Sequence, residues 1–313
     1  MRKIGVFPAS GALGGSTYTH LLKLVPHDRV ILINRHPEKV PQSYVDSGVT
    51  VRQASYESAP SELQVVFSGV EVLFLVSYPS HVHEYRVKVQ IPAIDAARKA
   101  GVKHVFYSSL AFAGGADSDS SAAVVMQAHL DSERHLHKIA QEDSTFTYTS
   151  IREGIYSESF PIYTAFFNPK ELASKILIPH DGTGPGIAWT KRDELGEGSA
   201  KLIATYTENP DSFRYINAKV LLTGPREWSL RDTVKLLGEV IGADMAIAQV
   251  SVDEYAEQPQ VLGRFGTEDK AKTWATAWAA IKDGATAVVT PDLENILGRK
   301  PEEFDVTIRK LLS

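Results

Sequence analysis

Lys3-Ile4-Gly5-Val6-Phe7-Pro8-Ala9-Ser10-Gly11-Ala12-Leu13-Gly14-Gly15 is the stretch whose reading decides the fold. Residues 3–7 are short and apolar, as a strand buried on both faces of a parallel sheet must be. Residues 13–24 (LGGSTYTHLLKL) then change to helical spacing. Between the two lies a glycine-bearing turn. Glycine lets the backbone reverse sharply there, and the N–H groups that open the helix point at any anion that approaches. A strand, a Gly-rich turn and a helix, in that order, form a phosphate-binding entry. In the spacing G-x-x-G-x-x-G the second and third glycines are Gly11 and Gly14. Pro8 stands in the first position, with no N–H and a fixed φ.

Outward from this turn the chain alternates strand-like and helix-like segments. Residues 29–33 (RVILI) and 49–53 (VTVRQ) read as the second and third strands. SELQVVFSGV has helical spacing, and EVLFLVS is a strand ending at Ser77. Residues 81–100 read as a long amphipathic helix stopped by Gly101, and KHVFYSS as a strand. Residues 121–141 read as a helix and STFTYTSIR as a strand. Such repetition calls for an α/β fold, a doubly wound parallel sheet of Rossmann type, with its switch point at the carboxyl end of the first strand. After Arg152 the rhythm breaks, and residues 160–186 are rich in Pro, Gly and aromatics. The expected division is a dinucleotide-binding domain of residues 1–152 and 186–222. A smaller, mostly helical substrate lobe takes residues 153–185 and 223–313.

The second strand ends in Asn34-Arg35-His36, with no acidic residue. An NAD site prefers a carboxylate there, to accept from the ribose 2′-OH. A guanidinium instead fits a 2′-phosphate, so the expected cofactor is NADP(H). Bulk properties narrow the rest. A net charge of −5 without a basic tail argues against nucleic acid as a partner. The absence of cysteine removes disulfides, thiolate metal sites and a thiol nucleophile. No segment approaches the ~20 apolar residues that span a bilayer, and the N-terminus lacks a signal-peptide core, so no membrane role and a cytoplasmic setting are expected.

Several stretches resemble the NmrA-like group of atypical short-chain dehydrogenase/reductases, with NADPH-dependent quinone reductases among its enzymes. PASGALG is similar to the family's glycine turn, ILINRHPEK to its strand–arginine–proline segment and VTVRQASY to its third strand and following loop. AIDAARKAGVKHVFYSSL, HLDSERHL, IREGIYSESF and GRKPEEF extend the resemblance over nearly the whole chain. It implies cofactor contacts from Pro8, Ser10, Gly11, Leu13, Gly14 and Arg35, from Tyr56 near the adenine, and from Ser77, Tyr78 and Pro79 after the fourth strand.

An ordinary short-chain reductase carries Tyr-x-x-x-Lys where this chain has His129 and Glu133, at the same i, i+4 spacing. Glu133 cannot stabilise a tyrosinate, but it can orient an imidazole or bind a ribose hydroxyl. His129 is a candidate proton donor. Ser108 and Ser109 end the fifth strand; Ser109 is a candidate for polarising a carbonyl and Ser108 for bonding the nicotinamide ribose. Tyr156, after the sixth strand, is a third catalytic candidate. Phe160, Tyr163, Phe166, Phe167 and Trp189 suit the wall of a pocket for a flat, apolar small molecule. His81, His83, His129, His135 and His137 lack metal-ligand spacing, and no metal is expected. Three functions fit: an NADPH-dependent reductase of a conjugated carbonyl, quinone or imine; an NADP(H) sensor acting on a protein partner; and a non-redox enzyme, a cyclase or dehydratase, on the same scaffold.

Overall fold

Strand and helix alternate from the first residues of the computed structural model, which describes residues 2–168 and 175–312. β1 (Ile4–Phe7), α1 (Ala12–Leu21), β2 (Val30–Asn34), α2 (Gln42–Asp46), β3 (Thr50–Gln53), α3 (Pro60–Phe67), β4 (Val72–Val76), α4 (His83–Lys99), β5 (His104–Leu110), α5 (Val124–Glu142) and β6 (Thr147–Glu153) come first. α6 (Phe160–Tyr163), β7 (Lys175–Ile178), α7 (Arg192–Glu208) and β8 (Ala218–Leu222) follow. The chain ends in α8 (Leu230–Ile241), β9 (Ala246–Gln249), α9 (Val252–Ala256), α10 (Pro259–Phe265), α11 (Glu268–Lys282), α12 (Asp292–Leu297) and α13 (Phe304–Leu312).

Seven strands form one sheet in the order β3-β2-β1-β4-β5-β6-β8. β1 pairs in parallel with β2 (Gly5 beside Ile31) and with β4 (Gly5 beside Leu73), and β2–β3 and β4–β5 are also parallel. Strand order reverses at β1, so a crevice opens above its carboxyl end. This is the doubly wound Rossmann sheet expected from the alternation.

All four residues of β1 are buried, because helices cover both faces. On one face Phe7, Leu73, Leu75, Val105 and Tyr107 meet Leu63 and Phe67 of α3 and Ala93 and Ala97 of α4. α1 and α7 pack together on the other face, close enough that a Cβ at Gly196 would strike the Ser16 hydroxyl. β6 displays the alternation directly. Arg152 turns to Glu133 of α5, and the next residue, Glu153, turns to Ser199 of α7.

The described residues divide into two compact units. The first holds residues 1–109, 128–153 and 192–220, and the second 110–127, 154–191 and 221–313. Residues 110–127, 186–191 and 221–222, which the sequence groups with the dinucleotide-binding part, fall in the second unit. That unit carries the parallel pair β7–β9 and most of the late helices. α8 is capped at both ends: Ser229 Oγ accepts from the Asp232 N–H (3.0 Å), and Gly242 ends the helix in the left-handed region. Among the described residues no helix is long and apolar enough to cross a membrane. Residues 169–174, within the Pro/Gly/aromatic stretch at 160–186, lie outside the described residues.

Candidate functional site

The turn between β1 and α1 is fixed by backbone contacts. The Ala9 N–H donates to the Ile33 carbonyl (2.9 Å), which ties the turn to β2, and the Phe7–Pro8 peptide is cis. Gly11 stands at the N-cap of α1 with φ 104°, a left-handed value that favours glycine, and nothing lies within 4 Å of where its Cβ would be. Gly14 serves a different need. A Cβ there would collide with the Pro8 carbonyl oxygen, so only glycine lets the first turn of α1 sit down on the strand exit. Pro8 brings no N–H to the turn, and its carbonyl is the atom against which Gly14 packs. No side chain caps α1, and its first turn holds no acidic residue. The opening N–H groups, which have no partner inside the helix, carry the positive end of its dipole. Ser10 and Gly11 are exposed beside them, and Leu13 is buried beneath. An open, uncapped and electropositive cradle of this kind fits a pyrophosphate.

Arg35 follows β2 directly and is exposed. Its Nη2 donates to Glu57 Oε2 (2.9 Å), in the loop after β3, and the other oxygen of Glu57 accepts from the Tyr78 hydroxyl (2.8 Å). Partial burial pushes the Glu57 carboxyl up, but hydrogen bonds from Tyr78 and Ser55 and the Arg35 charge outweigh it, so the group lies below its ordinary range. The Tyr78 phenol, bonded to that carboxylate, is pushed up to about 12. Tyr56 is buried. Its ring lies 4.8 Å from Phe7 and 5.6 Å from Tyr78, and its hydroxyl donates to the Val76 carbonyl (2.7 Å). Where the resemblance assigns Tyr56 to the adenine side, Tyr56 is buried against the half-buried Tyr78, which in turn meets the exposed Tyr85.

Beneath residues 77–79 runs a buried polar chain. The Ser77 N–H donates to Ser108 Oγ (3.0 Å), and the Tyr78 N–H donates to Gln90 Oε1 (2.7 Å). Gln90 Nε2 reaches the Tyr107 hydroxyl (3.2 Å) and Ser132 Oγ (3.0 Å). Tyr107 lies 3.1 Å from His129 Nδ1, and Arg86 Nη2 lies 2.7 Å from His129 Nε2. A guanidinium only donates, so Nε2 must accept, and the imidazole proton sits on Nδ1. Burial, then the charges of Arg86 and Arg152, hold His129 well below the ordinary imidazole range. The expectation that His129 donates a proton near neutral pH meets an imidazole that stays neutral and fully engaged.

Glu133 has a different partner from either one expected of it. Arg152 grips it through Nε to Oε1 (3.0 Å) and Nη2 to Oε2 (2.7 Å), and Ser109 Oγ adds a third bond to Oε1 (2.6 Å). Both side chains are essentially inaccessible, at 0% and 4% exposure, so this is a buried, bidentate ion pair. The Ser109 hydroxyl hydrogen is thereby committed. Ser108, buried, is used as an acceptor by the Ser77 N–H (3.0 Å). One residue past Arg152, Glu153 is fully buried. Ser199 Oγ donates to Oε1 (2.8 Å), Oε2 has no partner among the described residues, and burial pushes the carboxyl up to about 8.

Tyr156 belongs to the second unit, where it bridges to Thr190 in parallel and opens the turn Ser157–Ser159. The aromatic residues of that unit form core. Tyr163 lies 5.3 Å from Trp189 and 5.8 Å from Trp274, and Trp189 stacks on Phe304 at 4.9 Å. Phe160 and Phe167 are buried, and Phe166, half-buried, meets Phe265 at 5.5 Å. The helical histidines have carboxylate or neutral partners: His83 with Asp131 (2.6 Å), His135 with Asp95 (2.7 Å) and His137 with Gln141 (2.9 Å).

The NmrA-like family model matches residues 1–264 of this sequence. The chain belongs to the NmrA-like family. Within it, the NmrA-like family domain-containing oxidoreductase flvB of Aspergillus flavus is 31% identical over 307 residues, 97% of this chain and 93% of that protein. Quinone oxidoreductase 2 of Escherichia coli is 29% identical over 260 residues, 83% of this chain and 82% of its own. Among solved structures, Citrobacter sp. triphenylmethane reductase complexed with NADP(H) is similar with a TM-score of 0.75 at 25% identity, over 98% of this chain and 99% of that one. The Rossmann-type parallel sheet is shared with this structural neighbour. Two residues of the buried network, Arg86 and Gln90, escape a reading of motifs, while Tyr107 and Arg152 lie in stretches that carry the resemblance but show no role there. The one signal of Arg86 and Gln90 is pattern: they interrupt the stripe Val89, Ala93, Ile94, Ala97 on the buried side of α4.

Proposed function

We propose that this protein is an NADPH-dependent oxidoreductase acting on a small conjugated carbonyl, quinone or imine. The observation that carries the reading is the uncapped start of α1, opened by Gly11, with Arg35 presented at the adjacent strand end. The names of its relatives, an oxidoreductase in Aspergillus flavus and a quinone oxidoreductase in Escherichia coli, support it, as does NADP(H) in the triphenylmethane reductase structure.

In this reading the backbone N–H groups at Ala12, Leu13 and Gly14 hold the pyrophosphate, and Arg35 holds the 2′-phosphate. Bound there, the cofactor supplies a hydride. Residues 77–79, held from below by Gln90 and Ser108, border the nicotinamide half, and the Ser108 hydroxyl donates to its ribose. Ser109 stays anchored to Glu133 and offers a lone pair. With His129 neutral and enclosed, the proton for the reduced substrate comes from Tyr156 or from water. With the aromatic residues of the second unit taken up by core, the expectation of a flat substrate rests on the quinone in the name of the Escherichia coli relative.

The test follows NADPH absorbance in the presence of a quinone and enone panel. Oxidation at catalytic enzyme concentrations supports the proposal. Saturable NADPH binding without turnover on any member would replace it with a sensor or a non-redox enzyme.

A further inference from the structure

Glu57 brings a carboxylate to the guanidinium that the proposed function reserves for a 2′-phosphate. It is not a loosely held surface side chain. Its N–H donates to Ser55 Oγ (3.2 Å), and its two carboxylate oxygens go to different elements, Oε2 to Arg35 and Oε1 to the Tyr78 hydroxyl. Tyr78 is fixed in turn by its edge contacts with Tyr56 and Tyr85 and by the bond from its N–H to Gln90. The carboxylate therefore stands in a set place at the mouth of the 2′ subsite. Both side chains are accessible to a ligand, at 59% exposure for Arg35 and 37% for Glu57.

Two consequences follow from charge alone. A 2′-phosphate that binds Arg35 must share the guanidinium with Glu57 and sit near a second negative group. Five N–H donors make the sharing feasible, while the like charges oppose it. A ribose 2′-OH suffers no such opposition and can donate to the carboxylate. Dinucleotide folds selective for NAD use an acidic residue in this way, commonly at the end of the second strand. Here the acid comes from the loop after β3.

We propose that Glu57 makes the 2′ subsite dual, so that the protein accepts NADH as well as NADPH, with Arg35 favouring one and Glu57 the other. The inference rests on the reading of Arg35 as the 2′-phosphate ligand.

Calorimetric titration of NADPH and NADH into the wild type, Glu57→Gln and Arg35→Ala tests both. Glutamine keeps one oxygen as the acceptor for Tyr78, loses the charge, and turns its amide N–H2 toward Arg35 in place of the second acceptor. For the wild type, the two dissociation constants are expected within about tenfold of each other. Removing an exposed charge is expected to tighten NADPH about two- to fivefold and to weaken NADH by a similar factor. The gain for NADPH is expected to shrink as salt rises. Arg35→Ala is expected to weaken NADPH alone. A Glu57→Gln variant that shifts both dinucleotides equally, or neither, overturns the role of Glu57. An Arg35→Ala variant that leaves NADPH binding unchanged overturns the 2′-phosphate reading instead, and the dual subsite with it. Thermal melting of each variant without ligand shows whether it is folded.

Discussion

Glu153→Gln is expected to make the protein less sensitive to pH, by an amount the burial of that carboxyl sets. In the folded chain Glu153 holds its proton up to about 8, because charging it would place an unpaired carboxylate beside Ser199 with one oxygen unpartnered. In the unfolded chain it releases the proton near its ordinary value of 4.5. Below pH 4.5 both states are protonated, and the group adds no pH dependence. Between 4.5 and about 8 the folded state binds more protons than the unfolded, so stability falls as pH rises. The slope is about 1.4 kcal/mol per pH unit, which accumulates to about 3 kcal/mol by pH 7. Above about 8 both forms are charged and the loss levels off. Glutamine cannot ionise. It adds a constant offset of roughly 1 kcal/mol for its imperfectly satisfied amide, and no pH dependence. Urea unfolding of wild type and Glu153→Gln at half-unit steps from pH 4.5 to 8.5 yields the difference directly, with all other titrating groups cancelling. The variant should gain steadily on the wild type across the interval. A difference that stays constant with pH would refute the assignment of a buried, protonated Glu153.

Two further predictions concern the buried polar groups. Glu133→Ala strands the Arg152 guanidinium inside the protein and should cost about 3–5 kcal/mol in urea unfolding, whereas Glu133→Met with Arg152→Met should recover most of that loss. A double variant as unstable as the single one would mean the pair is not what matters there. Gln90→Leu removes the acceptor that holds the Tyr78 N–H, and it should raise KM for NADPH several-fold with a smaller effect on kcat. Gln90→Glu, which keeps that acceptor, should lie between it and the wild type. Unchanged KM in Gln90→Leu would show that residues 77–79 are positioned without it.

The sheet was legible in the sequence because its strands are buried on both faces and must be nearly all apolar, as VILIN and VLFLV are. The first turn was legible because glycine leaves a mark wherever backbone must come close, and the contact between Gly14 and the Pro8 carbonyl is such a place. Pro8 itself reads as a defect in a spacing pattern. Its use as a packing carbonyl becomes visible only in three dimensions. The His129–Glu133 spacing suggests a local pair, but each side chain turns to residues far away in sequence: Arg86 and Tyr107 for one, Arg152 and Ser109 for the other. Helical periodicity indicates which face a residue occupies. It says nothing of which strand that face will meet. Glu57 is silent in the sequence for the same reason, since its tie to Arg35 joins the loops after two neighbouring strands and leaves no local signature.

The most direct measurement is a calorimetric titration of the purified protein with NADPH, followed by the same titration with adenosine 2′,5′-bisphosphate. The amides at the start of α1 should produce a saturable, one-to-one heat with the dinucleotide. The bisphosphate, which keeps the 2′-phosphate and lacks the bridging pyrophosphate, should bind markedly more weakly. Equal binding of the two, or no heat with NADPH, would contradict a pyrophosphate held at Gly11–Gly14.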